Sequence, residues 1–423
     1  MSGLGDRHIL RVSRSEASQW LLLVLLTLPH LKPDYFEQIP SMDLFFNLWR
    51  VASFAVIIVR LVLIKQKISA VAALICIQQT FVFGVTLFNG GNIYTCAVLA
   101  FSITSVVLLY DGMRYDREVF LSSQLFCVEL VIYINLITEL LFPGGLYVED
   151  VGFDRVTALN WFLGYYNQHS KFFIPALMFA WLYKETTGEK LRTYFLTCGI
   201  FISALLVWSG GVLMTLFGMA FAYVLLKNRT SLFHYYSYWS IHIFFFFFIV
   251  VLKIQNVFQW LIDGVLGKWK SLLVRMDLWD RTLKLISEAP LFGHGRFDPS
   301  TRELESGLTW ARHAHNLLLE TLYQGGLVNL VFWVVIVIVA GKKLYRYRNT
   351  MESKIIAIAF FGWCIATLVE PSIPPFLMGM FIVAYYSNKK VYSKQANMSG
   401  LNAVTLNENQ QSLPSSCASG RQG

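Results

Sequence analysis

Two histidines and an asparagine stand directly before a long apolar run, in His313-Ala314-His315-Asn316. The run that starts at Leu317 is long enough to predict a membrane helix, which His315 and Asn316 then open. A helix N-terminus carries partial positive charge and unpaired N–H groups, and both attract anions. A neutral histidine there can accept a proton from a substrate at neutral pH. The spacing indicates proton transfer beside an anionic ligand, whereas a lone interfacial histidine would be ordinary interface polarity.

The hydrophilic stretch that contains these histidines, residues 255–314, also holds one predicted helix from Ser271 to Glu288. Its apolar residues recur at alternating spacings of four and three and form one stripe: Leu272, Met276, Trp279, Leu283 and Ile286. The polar side offers two i,i+4 ion pairs, Asp277 with Arg281 and Asp280 with Lys284. Arg275 stands beside the stripe, where it either meets an anion or remains a solvated surface charge.

Glycines in two places allow the backbone to come close to a neighbour. Gly293 and Gly295, in the segment from Pro290 to Phe297, allow a tight turn with backbone beside a ligand. Gly325 and Gly326 allow a kink or close packing within the predicted membrane helix. No cysteine and no His-Glu-x-x-His pattern joins the two histidines, so we expect no metal and no cofactor.

Composition indicates which elements position these residues. Of the 423 residues, 56% are hydrophobic and 14% are charged, which is too apolar for a soluble protein. The net charge of +9 comes mainly from short loops between apolar runs, which indicates membrane topology and no nucleic-acid partner. The apolar runs predict about twelve membrane helices, at roughly 17–31, 44–64, 68–88, 93–110, 119–142, 170–184, 191–208, 211–226, 237–254, 315–340, 354–369 and 373–388.

Basic residues concentrate in alternate loops, and this asymmetry predicts the orientation of the helices. With the N-terminus in the cytoplasm, the short outside loops hold only Lys32, Arg155 and Lys171, and both chain ends are cytoplasmic. Four parts follow: helices one to nine with short loops, a large external loop, helices ten to twelve, and a disordered cytoplasmic tail. Their bounds are 1–254, 255–314, 315–390 and 391–423.

The order of these motifs resembles the O-antigen ligase and polymerase superfamily of bacterial inner membranes. The motifs are Arg275 to Trp279 as Arg-x-x-x-Trp, Pro290 to Gly295 as Pro-Leu-x-Gly-x-Gly, and His315-Asn316 followed by Gly325-Gly326-Leu327. They cover about residues 271–330, and the hydropathy profile fits most of the chain. The resemblance implies an all-α, GT-C-like membrane protein with a large, partly helical periplasmic loop.

The resemblance further implies an O-antigen ligase. Such an enzyme is a metal-independent, inverting glycosyltransferase that moves O-antigen polysaccharide from undecaprenyl diphosphate to a lipid A–core sugar. It acts on the periplasmic side of the inner membrane, among membrane lipids. His315 matches the family's essential loop histidine and Arg275 its loop arginine, so we assign both as catalytic. The residues that we expect to bind the diphosphate and sugars are Arg155, Arg281, Arg312, His313 and Asn316.

One motif departs from the family pattern. Many members carry Ser-Arg-Gly at the start of the helix after the short seventh loop, whereas this chain reads Ser209-Gly210-Gly211. Either another cation takes the role of that arginine or the position is not essential.

Three other functions compete with the ligase. A surface-polysaccharide polymerase of the same superfamily would use the same motifs. A lipid-linked glycan flippase or transporter would often show internal repeats and polar residues deep in interrupted helices, and no repeat is visible here. A structural membrane protein would not need His-Asn at the mouth of a helix.

Overall fold

Helices form almost all of the regular structure in a computed structural model of the chain. It describes residues 14–65, 67–112, 117–150, 157–228, 233–254, 269–308, 313–368, 370–371 and 374–387. The predicted tail, Arg155 and Arg312 lie outside these described residues. Fourteen α-helices occur within them: α1 Arg14–Thr27, α2 Pro40–Ile64, α3 Ala70–Phe88, α4 Ile93–Gly112, α5 Arg117–Leu141, α6 Ser170–Thr187, α7 Leu191–Val207, α8 Gly210–Asn228, α9 Tyr235–Phe246, α10 Trp269–Glu288, α11 Pro299–Ser306, α12 Leu317–Arg346, α13 Met351–Ala366 and α14 Pro375–Tyr385.

Each of the twelve predicted membrane helices overlaps one of these helices, and only α10 and α11 fall between them. Five helices, α2 to α5 and α12, are long and apolar enough to cross a membrane by length and composition. Shorter apolar helices include α7, α8, α14 and α9, which a π-helical turn extends to Val251. The prediction of an all-α membrane protein with many spans is therefore confirmed.

The core of the bundle centres on α13 and α14. Large aromatic side chains from several helices meet there, with Trp363 and Phe381 5.5 Å apart between ring centroids and Phe360 packed beside both. All three are fully buried. In contrast, α2 is mostly exposed along its apolar length, as expected of a helix that faces lipid. The C-terminal end of α13 is thus held rigidly where it approaches the start of α12.

A break in α12 determines how the loop before it packs. At Gly326 the backbone leaves the helical conformation (φ 60°, ψ −158°). The N–H groups of Leu327 and Val328 instead donate to the carbonyls of Pro290 and Leu291, at 2.9 and 3.2 Å. The Pro290 loop thus satisfies the amides that the kink releases. The predicted kink is present, and the Pro290 loop is its partner.

The glycines of that loop allow it to pack closely against two helices. A Cβ on Gly293 would lie 2.5 Å from the carbonyl oxygen of Tyr323, and one on Gly295 would lie 2.7 Å from the Cα of Thr86. Both glycines also have positive φ, 68° and 88°. Only a residue without Cβ lets the loop lie this close to α12 and α3.

A small antiparallel sheet lies in the predicted loop between α5 and α6, where the sequence suggested only a loop. Its strands are β1 Tyr147–Asp150, β2 Thr157–Trp161 and β3 Gly164–Tyr165, in the order β1-β2-β3. Tyr147 pairs with Asn160, and Trp161 pairs with Gly164. The amide of Leu163 donates to the Asn135 side chain in α5 at 2.9 Å. This bond fixes the β2–β3 turn on the end of the membrane bundle.

The predicted external helix is present as α10 and starts two residues before Ser271. Met276 and Trp279 of its apolar stripe are buried against Val250 and Leu319, which confirms the stripe. The Asp277–Arg281 pair forms at 3.2 Å. The predicted partner of Asp280 was wrong: it pairs at 2.5 Å with Lys253, just after the π-helical turn, because α10 lies across the end of α9.

Candidate functional site

Asn316 begins α12 as its N-cap. Its Oδ1 accepts from the amides of Leu318 and Leu319 at 3.0 and 3.2 Å, and its Nδ2 donates to the carbonyl of Leu368 at 3.2 Å. An Asn side chain at this position satisfies amides that the helix leaves unpaired. Because the side chain is fully buried in these contacts, the structure places Asn316 behind the site as a support, joining α12 to the end of α13.

His315 adopts a left-handed backbone conformation, with φ of 47°. That conformation costs a residue with a Cβ about 1–2 kcal/mol, so the surrounding contacts must impose it. The amide of His315 donates to Nδ1 of His313 at 3.3 Å, and the two rings lie 4.2 Å apart between centroids. The turn therefore presents both imidazoles on one side of the start of α12.

Glu370 completes this group. Its Oε1 lies 3.2 Å from Nδ1 of His315, and its Oε2 lies 3.9 Å from Nε2 of His313. Glu370 was not among the predicted site residues, although the sequence carries one signal for it: it is the only acidic residue between residues 354 and 388. A carboxylate at a membrane boundary is costly and is a functional candidate by default. We call His313, His315 and Glu370 the His–Glu cluster.

Arg275 approaches the same carboxylate from α10. Its Nη2 lies 3.7 Å from Oε1 of Glu370, which is an ion pair longer than a hydrogen bond. Four residues on, Trp279 is buried and donates Nε1–H to the carbonyl of Ala314 at 3.1 Å. Residues i and i+4 share one face of a helix, so the Trp279 anchor directs Arg275 toward the cluster. The structure thus brings together both predicted catalytic residues.

The charges within the cluster set its protonation. Burial alone would raise the pKa of Glu370, but His315, His313 and Arg275 outweigh burial and lower that pKa to about 2. Burial, followed by the neighbouring His315, lowers the pKa of His313 to about 4. At neutral pH Glu370 is therefore a carboxylate and His313 is neutral. The site combines the negative charge of Glu370, the positive charge of Arg275 and two imidazoles.

The last strand of the small sheet and the turn after it face the same region. Burial raises the pKa of Tyr165, and the charges of Glu370 and Arg275 also act on its hydroxyl group. Nδ2 of Asn167 donates to that hydroxyl at 3.0 Å, and Oγ of Ser209 donates to Oδ1 of Asn167 at 2.8 Å. Ser209, which directly precedes Gly210, the position where the family arginine is absent, therefore holds this turn in place.

Arg281 lies away from the His–Glu cluster. Its Nε donates to Asp277 at 3.2 Å and its Nη1 donates to the carbonyl of Ser306 at 2.7 Å, so it joins α10 to α11. These contacts leave its guanidinium on the outer side of α10, about half exposed. The structure does not bring Arg281 together with His315 and Arg275.

The His–Glu cluster also has the composition of a metal site. One ligand atom from each of its residues lies within 4.8 Å of the others. Two imidazoles and a carboxylate are ligands that suit Zn²⁺. However, Arg275 contacts the same carboxylate, and its positive charge opposes a cation there. The donor set therefore fits a metal while its charge environment does not, and the arrangement suits proton transfer beside an anion.

Comparison with known proteins points to one family. Residues 171–334, which include α6 to α11 and the first part of α12, match the family model described as O-antigen ligase. A stretch of 76 residues is 38% identical to an O-antigen ligase of Pseudomonas aeruginosa. This stretch makes up 18% of the chain and 19% of the relative, so the chain spans about a fifth of the length of the curated relative. The two matches together support membership of the O-antigen ligase superfamily and confirm the resemblance seen in the sequence.

Proposed function

We propose that this protein is an inner-membrane glycosyltransferase, an O-antigen ligase that transfers polysaccharide from undecaprenyl diphosphate to a lipid A–core sugar. One observation carries the proposal. Arg275, His315 and Glu370 converge at the mouth of a membrane helix, and Arg275 and His315 fall inside the segment that matches the O-antigen ligase family. A diphosphate carrier in the membrane would bring its head group to this mouth.

His315 acts as the general base in this scheme. When the neutral imidazole donates an Nδ1–H hydrogen bond to Glu370, the lone pair that can accept a proton lies on Nε2. The acceptor hydroxyl attacks the anomeric carbon of the donor glycan and passes its proton to Nε2. General-base catalysis of this kind contributes on the order of 10²–10⁴-fold. Glu370 orients the ring and balances the charge that the imidazolium acquires.

Arg275 stabilises the leaving group. As the bond from the anomeric carbon to the diphosphate oxygen breaks, negative charge builds on undecaprenyl diphosphate. The 3.7 Å separation from Glu370 leaves the guanidinium able to turn toward that charge. A cation beside the bond that breaks stabilises such charge, so this chemistry needs no metal. A single in-line displacement inverts the anomeric centre.

The charges of the loops support a proposed orientation of the chain in the membrane. Basic residues in alternate loops favour a cytoplasmic location for both chain ends. The α10–α11 segment and the His–Glu cluster then face the periplasm, where we expect Arg155 and Arg312 to join Arg275 in binding the diphosphate. The N-terminal part of α8 would add its amides to this side, in place of the arginine absent at Gly210.

The experiment is complementation of a strain that lacks its own ligase, read as long-chain lipopolysaccharide on a gel. We expect H315A and R275A to give none. The matched controls H234A and R348A lie near the other end of the 30-residue helix α12, and should complement fully. Normal long-chain lipopolysaccharide from H315A and R275A would contradict the site assignment.

The same strains separate a ligase from a polymerase of the superfamily. Loss of a ligase leaves lipid-linked polymer that is not attached to core. Loss of a polymerase leaves core that carries at most one repeat unit. If the wild-type gene restores only a polymerase-deficient strain, the acceptor is another lipid-linked repeat unit and the ligase proposal is wrong.

A further inference from the structure

A buried ion pair joins α11 to the start of α12. Nη2 of Arg302 lies 3.3 Å from Oε2 of Glu320, and the two side chains are only 5% and 9% exposed. The guanidinium of Arg302 also stacks on Tyr323, 3.4 Å from the ring centroid. Burying two charges is expensive, and apolar residues of similar size often replace such a pair without loss of stability. The pair therefore calls for a role other than holding the fold together.

Glu320 makes one contact that leads directly to the site. Its Oε2 accepts from the amide of Ala314 at 2.9 Å, while its Oε1 accepts from Nε2 of Gln324 at 2.8 Å. Ala314 is the residue between the two histidines, and its carbonyl is held from the opposite side by Trp279. Both peptide groups that flank Ala314 are thus fixed, one by a buried carboxylate and one by a buried indole.

We propose that Glu320, held in place by Arg302, is a positioning residue that fixes the backbone between His313 and His315 for catalysis. The inference rests on the proposed function, because it requires His315 to act on the substrate. The left-handed conformation of His315 makes such support necessary, since an unsupported chain would relax from it. A bond at Ala314 N–H directly restrains the turn that directs the imidazole toward Glu370.

The contribution of Glu320 belongs to kcat rather than to substrate binding. Glu320 points into the protein and touches neither Arg275 nor Glu370 through any hydrogen bond in the described residues. Displacing a catalytic group by about 1 Å can cost 10²-fold in rate. We therefore expect loss of the Ala314 contact to lower kcat by about 10²-fold, while the donor KM changes little.

The test compares two double variants of the full chain, purified and reconstituted with a lipid-linked glycan donor and a lipid A–core acceptor. R302M/E320Q removes both charges but keeps a side-chain oxygen for the Ala314 amide. R302M/E320L removes both charges and that acceptor. We expect R302M/E320Q to retain kcat to within about five-fold and R302M/E320L to lose about 10²-fold, with similar unfolding temperatures. Equal kcat values for the two variants, or wild-type kcat for R302M/E320L, would overturn the proposal.

Two further variants keep the result decisive. If R302M/E320L does not fold, R302M/E320M removes the same acceptor of the Ala314 amide with a side chain closer in shape to glutamate, and it should lower kcat at unchanged donor KM. Wild-type kcat for R302M/E320M would then overturn the proposal. H315A, measured in parallel, separates the two ideas: an active H315A refutes the proposed function itself. An inactive H315A with equal double variants refutes only the positioning role.

Discussion

Replacement of Glu370 by alanine should lower kcat without raising KM for the anionic donor. The change removes the oxygen that lies 3.2 Å from Nδ1 of His315, so the imidazole loses both its orientation and its tautomer preference. A hydrogen bond to a charged group contributes about 1.5–3 kcal/mol. If this bond is made fully in the transition state, its loss reduces kcat by roughly 10- to 150-fold.

Donor binding, in contrast to kcat, should not weaken when Glu370 is replaced by alanine. Arg275 keeps its place on α10 in E370A, because Trp279 and not Glu370 anchors that helix. It also loses the carboxylate 3.7 Å away that competes with a bound diphosphate. We therefore expect the donor KM to stay constant or to fall. A role in which Glu370 merely maintains the fold would lower the active fraction and the unfolding temperature instead.

Initial rates in proteoliposomes, over a range of donor concentrations, provide the assay. The control is E352A, which removes a carboxylate paired with Arg117 at 2.7 Å at the other end of α13. We expect this variant to match wild type in kcat and KM. A kcat for E370A within two-fold of wild type, or a raised donor KM at unchanged kcat, would refute the reasoning.

Three further predictions concern charge, metal and backbone. The pKa of His313 falls from about 6.5 in the unfolded chain to about 4, so the unfolded chain binds more protons below pH ~6.5 and acid lowers stability. Between pH 7 and pH 5, the unfolding temperature of H313N should therefore fall by less than that of the wild type. An equal fall in both proteins would contradict this prediction. Chelation with EDTA should leave transfer activity unchanged, because Arg275 opposes a cation at the His–Glu cluster; activity lost to EDTA and restored by an added divalent ion would show a metal site. G326A should destabilise the protein by about 1–3 kcal/mol, because its Cβ would meet the Leu291 carbonyl at positive φ. G84A, which meets open space, is its control in thermal unfolding, and equal unfolding temperatures would count against the kink argument.

The membrane helices and α10 could be predicted because their signals are local. A span is a run of apolar residues, and an amphipathic helix is a spacing of three and four, so each is visible within about 20 residues. The prediction that Arg275 and His315 act in one site came from the order of the family motifs and not from a local physical pattern. Asp280 shows the limit of such local signals, because it pairs with Lys253, which precedes α10 by 16 residues, and not with its i,i+4 neighbour Lys284.

Glu370 and the ion pair behind the histidines could not be predicted in the same way. Glu370 is separated from His315 by 55 residues, and only the return of α13 to the start of α12 brings them together. Arg302 and Glu320 each look like ordinary polar residues, one on a short helix and one near a helix start. The small sheet was missed because short strands among polar residues resemble loops. Each of these features depends on packing between segments that are distant in sequence, and no local pattern in a single sequence predicts such packing.

The most direct measurement of the central claim is the transfer rate of the purified protein carrying H315A. Labelled glycan on undecaprenyl diphosphate is supplied with lipid A–core in metal-free buffer, and product is followed over time. We predict that H315A lowers the rate by about 10²–10⁴-fold at an unchanged unfolding temperature, while H234A transfers at the wild-type rate. A rate for H315A above about a tenth of wild type would contradict the assignment of His315 as the general base.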